Sequence, residues 1–269
     1  MKLLSKLLIL FAITLALFLQ DHAKAVDATV TNATATTLNA TRVSGAWTPA
    51  SLGGSLVQWV WGDFMTTNDA VAVTRWNAKI GTDMTTDTTT GRPTVITNGV
   101  SGKAIRVVRF NGTANYLTNV FGTQAQPFTM FVQMRQVGDS AMVANYRIID
   151  SAALEAGRAH IRRDSTPNLT IYSGVGFQGF GDTPNTNWSQ YIFVFDGANS
   201  RLSKDGSGWL TVGASPGTDT IHGNTLGVAQ DLATEFSQMD FEQFGIISGT
   251  NWLTTDYVNM TNYLHLRIH

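Results

Sequence analysis

The chain has 269 residues, of which 43% are hydrophobic and only 14% charged, with no cysteine and a formal net charge of −1. That composition is globular, and the lack of a basic field argues against a nucleic-acid partner and against an anionic membrane surface. A fold without cysteine relies on its apolar core, and the length suits one large β domain as well as two small ones.

The first predicted element is a leader. Lys2 and Lys6 make a positive start, Leu7 to Leu19 is apolar except for Thr14, and Ala23-Lys24-Ala25 places small residues where a signal peptidase cuts. The apolar run is shorter than the roughly 20 residues a membrane span needs. We therefore expect a signal peptide over residues 1–25, cleaved after Ala25. The product would be secreted, periplasmic or held at the cell surface, with no membrane attachment after cleavage. Residues 26–50 are rich in Thr, Ala and Asn, and VTNATAT (30–36) is followed by the similar TLNATRV (37–43). Such a stretch reads as a linker or edge strand, or as a stalk. Asn-Ala-Thr is also a glycosylation sequon.

No charged run or Pro-rich linker divides residues 51–269, which read as one domain. Its densest part runs from Trp59 to Leu117, where Trp59, Trp61, Trp76, Phe110 and Tyr116 offer large apolar area. Ala104 to Phe110 is mostly β-branched and ends at the turn pair Asn111-Gly112. Phe128, Met130, Val132 and Met134 alternate with Thr129, Phe131, Gln133 and Arg135, a period of two that predicts one buried face. Leu169 to Tyr172, Tyr191 to Phe195 and Phe241 to Ile247 are further strands. Turn signals recur at Asn98-Gly99, Asp196-Gly197, Asp205-Gly206 and Ser215-Pro216-Gly217. Many short strands with frequent turns mean a sandwich or a barrel.

One helix is predicted near the end. Thr254 or Thr255 caps it, Asp256 lies in its first turn, and Tyr257, Met260 and Leu264 form an apolar stripe. The alternation of Leu264, Leu266 and Ile268 with His265, Arg267 and His269 also fits a closing strand after that helix, and the pattern leaves the junction open.

Residues with chemistry are sparse. The histidines are His22, His160, His222, His265 and His269; the last two have the i, i+4 spacing of a metal pair if helical, but lack further ligands. They read as surface histidines. Without cysteine or a Ser-His-Asp context, nucleophilic catalysis has no support. The Gly-rich GVGFQGFG (174–181) is interleaved with Phe and lacks Lys, so it is a loop and not a phosphate cradle. Sugar binding needs aromatic faces for C–H groups and amides for hydroxyls. Phe177 and Phe180 in the Gly-rich loop, and Trp209 after the Asp205-Gly206 turn, are the candidates.

Trp59, Trp76, Lys79, Gly81, Arg92-Pro93, Asn98-Gly99, Gly102-Lys103, Arg109 to Gly112 and Tyr116-Leu117 stand in an order that resembles a LamG-like domain of the concanavalin A-like lectin/glucanase superfamily. The resemblance continues through PFTMFVQMR (127–135), WSQYIFVFDG (188–197), Lys204-Asp205-Gly206 and FEQFGII (241–247). It implies an all-β, two-sheet antiparallel jelly-roll sandwich with one short C-terminal helix, and it places Trp59, Trp76 and Trp188 at core positions. Related domains often hold calcium by loop carboxylates and amides, which makes Asp182, Asn185 and Asn187 candidates for calcium as a cofactor, beside Asp83 and Asp87. The sequence departs from the family where Val60-Trp61 replaces Leu-Asp and Ala78 replaces Asp.

Superfamily glucanases carry Glu, Asp and Glu at alternate positions of one strand, as nucleophile and acid. The nearest phrase here is Gln238-Met239-Asp240-Phe241-Glu242, whose first carboxylate is an amide. The only other glutamates are Glu155 and Glu235. We expect Gln238, Asp240 and Glu242 to line a solvent face while Met239 and Phe241 enter the core. The expectation is an exported, non-catalytic module recognising a glycan or protein surface. A structural, virion or surface-display protein is the alternative, and a glucanase-like hydrolase a further one.

Overall fold

The computed structural model describes residues 47–65, 71–100, 103–137, 146–152, 157–164, 168–182, 186–249 and 254–268. The leader 1–25, residues 26–46, His22, Gly102, Glu155, Asn185 and His269 lie outside the described residues. The strands and the helix belong to the compact unit from Thr48 to His269.

Strands appear wherever β-branched and aromatic residues run between turn formers. In chain order they are β1 (Leu56–Trp61), β2 (Arg75–Trp76), β3 (Ala78–Ile80), β4 (Met84–Thr85), β5 (Thr94–Val100) and β6 (Lys103–Arg109). Next come β7 (Leu117–Gln124), β8 (Phe128–Gln136), β9 (Tyr146–Ser151), β10 (His160–Arg163), β11 (Leu169–Tyr172) and β12 (Gln178–Gly179). The last are β13 (Ser189–Phe195), β14 (Arg201–Lys204), β15 (Leu210–Thr211), β16 (Ile221–Leu226) and β17 (Met239–Ser248), followed by the helix α1 (Thr254–Ile268). Among the described residues they make two antiparallel sheets. Sheet A has nine strands in the order β15-β14-β13-β8-β17-β1-β3, with β6 beside β17 and β5 beside β6; sheet B has eight, in the order β12-β11-β10-β9-β16-β7-β4-β2. This is the two-sheet jelly-roll sandwich the sequence implied.

The core lies between the sheets. Trp76 and Phe110 are fully buried in it, with Met130, Val132, Met134, Phe193, Phe195, Phe241, Phe244 and Ile246 from sheet A and Ile148, Ile149, Ile161, Leu169 and Ile171 from sheet B. Aromatic pairs interlock it: Phe110 meets Phe241 edge-on at 5.2 Å, and Phe128 stacks on Phe195 at 4.9 Å. The Asn111-Gly112 turn forms as predicted. Gly112 has φ +76°, a region glycine enters without strain, and Asn111 Oδ1 accepts the amide N–H groups of Thr113, Ala114 and Asn115 at 3.0–3.2 Å.

Helix α1 covers sheet A from outside. It runs to Ile268 with no closing strand, and it lies on the outer face of the sheet. Tyr263 meets Trp59 edge-on at 6.1 Å, Tyr257 Oη pairs with Ser203 Oγ at 2.7 Å, and Gln133 Nε2 donates to the Leu264 carbonyl. Gln243, Gln133 and Gln190 stand in register across β17, β8 and β13. Gln243 Nε2 donates to Gln133 Oε1, and Trp59 Nε1 donates to Gln243 Oε1 at 3.2 Å. The alternation in β8 predicted one buried face, and the strand is buried on both because α1 covers the second. Trp59 is buried as expected, but against the helix and not in the inter-sheet core.

The carboxylates of β17 also differ from expectation. Met239 and Phe241 enter the core, yet Asp240 and Glu242 are fully buried and do not face solvent. Asp240 stands opposite Arg109 of β6 on one side and Arg135 of β8 on the other. Both arginines reach its carboxylate, at 2.7–2.9 Å. Glu242 Oε1 accepts the Trp61 indole N–H at 2.7 Å.

Candidate functional site

The outer face of sheet B carries a cluster of another kind. It begins with a local irregularity in β9, where the register against β10 shifts between the Ile149↔Ile161 and Arg147↔Arg162 pairs. Strict alternation would put Arg147 and Asp150 on opposite faces. The bulge instead turns Ile148 and Ile149 both into the core and leaves Arg147 and Asp150 together outside, with Arg147 Nε 3.3 Å from Asp150 Oδ2. Opposite them, β10 contributes His160 and Arg162, and β11 contributes Tyr172, the cross-strand partner of His160.

Asp150 is the centre of the cluster and is fully buried. Arg158 grips it with two bonds, Nε to Oδ1 at 3.1 Å and Nη2 to Oδ2 at 2.7 Å, the geometry that makes arginine–carboxylate pairs strong. The amides of Ser151 and Gln230 donate to it as well, at 2.8 and 3.1 Å. Glu235 comes from the segment after β16 and lies 3.0 Å from Arg147 Nε, without the angle of a hydrogen bond. That segment contains two left-handed non-glycine residues, Leu232 and Glu235, both at φ +56°. Such backbone costs on the order of 1–3 kcal/mol and persists only where its surroundings hold it.

Phe177 roofs the cluster. Its ring centroid is 3.3 Å from the Arg162 guanidinium carbon, 5.8 Å from that of Arg147, 5.2 Å from Tyr172 and 5.3 Å from His160. His160 stacks flat on Tyr172 at 4.9 Å. The Gly-rich loop holds this roof in place. Gly174 has φ +97°, and a Cβ there would press on the Asp219 carboxylate. The amides of Ser173 and Val175 both donate to the Pro216 carbonyl. Phe177 remains 42% exposed.

Burial and the neighbouring Arg147, Arg158 and Arg162 hold His160 well below its ordinary pKa, so the ring is neutral at neutral pH. Burial also lowers Arg147, and the attraction of Glu235 and Asp150 does not make up the loss. Beside the cluster, burial pushes the Tyr146 phenol up to about 12, opposed by the Arg163 that donates to it.

The other predicted residues are dispersed. Phe180 is buried in the core against Phe193 at 6.2 Å, so it offers no open ring. Trp209 lies just before β15 of sheet A, packed between Tyr257 at 4.8 Å and Arg201 at 4.7 Å. Asp182 pairs with Lys204 at 3.0 Å, and Asn187 is described without Asn185. Asp83 binds Arg75 and the Ala78 amide, and Asp87 accepts the Tyr116 hydroxyl. Among the described residues no group of three His, Cys, Asp or Glu is placed to hold a metal. His160, to which the sequence assigned no role, is 1% exposed. Sequence pattern pointed to Phe177 and missed Arg147, Asp150, Arg158, His160, Arg162, Tyr172 and Glu235. The phrase His160-Ile161-Arg162-Arg163 was the available signal, since it puts a ring and a cation on one strand face.

No family model and no curated protein matches this chain. Solved structures do resemble it. One is a Trypanosoma rangeli sialidase in complex with sialic acid, with 10% identity and a TM-score of 0.52 over 80% of this chain and 33% of that one. Another is a mutant of HCR/D, with 10% identity and a TM-score of 0.53 over 81% of this chain and 53% of that one. The chain thus spans about a third of the sialidase and about half of HCR/D. These likenesses concern the fold alone, a two-sheet antiparallel sandwich.

Proposed function

We propose that this chain is an exported, non-catalytic module that binds a glycan on the outer face of sheet B. The observation that carries the reading is Phe177, a half-exposed ring set among Tyr172, His160 and arginine N–H groups. Aromatic surface receives sugar C–H groups, and the surrounding donors meet hydroxyl oxygens. The resemblance of residues 55–266 to LamG-like domains supports the narrower family assignment. The leader over residues 1–25 supports export, which N-terminal sequencing of the secreted product tests by looking for a start at Val26.

The absence of catalysis is part of the proposal. Both Asp240 oxygens are engaged by arginines, and Glu242 Oε1 is engaged by Trp61, which supports a structural role for the two carboxylates on the glucanase-like strand. Reducing-sugar release from a polysaccharide panel, lost in Glu242→Gln, would promote the hydrolase reading. Binding is tested on a glycan array with the wild type and Phe177→Ala. Retention of at least one glycan by the wild type and its loss in the variant is the expected result; no retention, or retention indifferent to Phe177, would sink the reading. The alternative of a structural or display protein is favoured by one observation, the exposure of Leu210 on the outermost strand of sheet A and of Trp209 just before it, which suits contact with another protein.

A further inference from the structure

The cluster under Phe177 leaves buried guanidinium N–H groups of Arg147 and Arg162 without a hydrogen-bond partner. Arg147 and Arg162 face each other directly across β9 and β10, an arrangement in which like charges destabilise a sheet unless something lies between or above them. Arg147 is 5% exposed, and its Nε and Nη1 have no hydrogen-bond partner. Arg162 Nε has none either, and the single N–H of the buried neutral His160 ring has no hydrogen-bond partner on either nitrogen. Asp150, 3.3 Å from Arg147 Nε, is already held by Arg158 and two backbone amides, and Glu235, 3.0 Å from the same Nε, lacks the angle of a hydrogen bond, so Arg147 Nη1 and Arg162 Nε keep no acceptor. Asp164 lies 3.9 Å from Arg162 Nη2, beyond hydrogen-bond reach. Buried polar groups are nearly always satisfied, and a group of unsatisfied donors at one place marks a missing acceptor.

We infer that the glycan bound at this site is acidic, and that its carboxylate enters beside Phe177 to meet the guanidinium groups of Arg147 and Arg162. The inference rests on the glycan-binding reading above and names the class of sugar. A carboxylate supplies two oxygens in one plane, the geometry a guanidinium fork accepts, and its charge offsets the facing arginines. A sugar hydroxyl accepts the same N–H groups but brings no charge. The sugar ring rests against the exposed part of Phe177. Neutral His160 lies among the arginines and supplies a donor without adding to their repulsion.

The test is an array of oligosaccharides printed in pairs, uronic-acid and sialic-acid members each beside their methyl ester, probed with the purified protein. We expect the acids to be retained about tenfold or more above their esters, as charge-assisted hydrogen bonds imply. The preference should be lost in Arg162→Gln and kept only in part by Arg162→Lys, which restores the charge without the fork. Raising NaCl from about 0.15 to 0.5 M should weaken the acids and leave the esters unchanged; this arm uses the wild type alone, so it stands even if a variant misfolds. Equal retention of acid and ester overturns the inference while leaving the glycan-binding reading intact. Retention of no glycan of either kind overturns both.

Discussion

The two outer faces of the sandwich share a scaffold and solve the same problem differently. On sheet A the middle strands present glutamines and tryptophan, and a helix lies over them. Gln243, Gln133 and Trp59 satisfy one another and the Leu264 carbonyl with neutral groups, so the face is buried without placing a charge under the helix. On sheet B the corresponding strands present arginines, a histidine and a carboxylate, roofed by one half-exposed ring. A buried charge needs partners, and those that Asp150 and Glu235 supply leave several guanidinium N–H groups open. The lesson is that a sheet face finished with amides can be covered by the chain itself, whereas one finished with unpaired cations remains suited to an external acceptor.

Breaking what the faces share gives the largest effect. Trp76→Ala or Phe110→Ala should cost about 3–5 kcal/mol in denaturant unfolding. A variant that melts like the wild type would falsify the placement of these rings in the common core. Next comes the charge centre of sheet B. Asp150→Ala leaves Arg158 and Arg147 without their buried partner and should cost about 3–5 kcal/mol, measured by chemical denaturation. A small cost would mean that the arginines do not depend on Asp150.

The helix-covered face should respond less sharply to a single change. Gln133→Leu leaves Gln243 and the Leu264 carbonyl without their partner, a loss of about 1–3 kcal/mol. It should also speed hydrogen exchange in α1 while leaving β9 to β11 protected; equal acceleration in both would show that the faces are not separable.

His160 should then give the charged face a pH dependence of its own. His160 has its pKa lowered in the folded state, so the unfolded chain binds the proton more readily. Stability from this group is fully present above the unfolded value near 6.5 and is lost as pH falls below it, at no more than about 1.4 kcal/mol per pH unit. His160→Gln should flatten that limb of the stability curve; an unchanged slope would assign it elsewhere. The smallest effect belongs to Phe177→Ala. Its ring is half exposed and its stacking with Arg162 is worth about 0.5–1 kcal/mol at such a site, so thermal melting should move little although ligand binding is lost.

Much of this architecture is written locally. The alternation in residues 128–135, the Asn111-Gly112 turn and the large rings at Trp76 and Phe110 act over a few residues, and backbone propensity and side-chain period read them directly. The N-terminal half of α1 was legible for the same reason. What the sequence could not show depends on partners far away along the chain. Asp240 is buried because Arg109 and Arg135, 131 and 105 residues distant, flank it. The helix continues to Ile268 past an alternating run, since the outer face of sheet A offers Gln133 and Trp59 to pack on. The cluster at Asp150 exists because one bulge in β9 brings Arg147 and Asp150 to the same side, and because a later segment delivers Glu235. A one-residue shift of register reverses the facing of every side chain beyond it, and only the pairing of strands in three dimensions fixes where that shift falls.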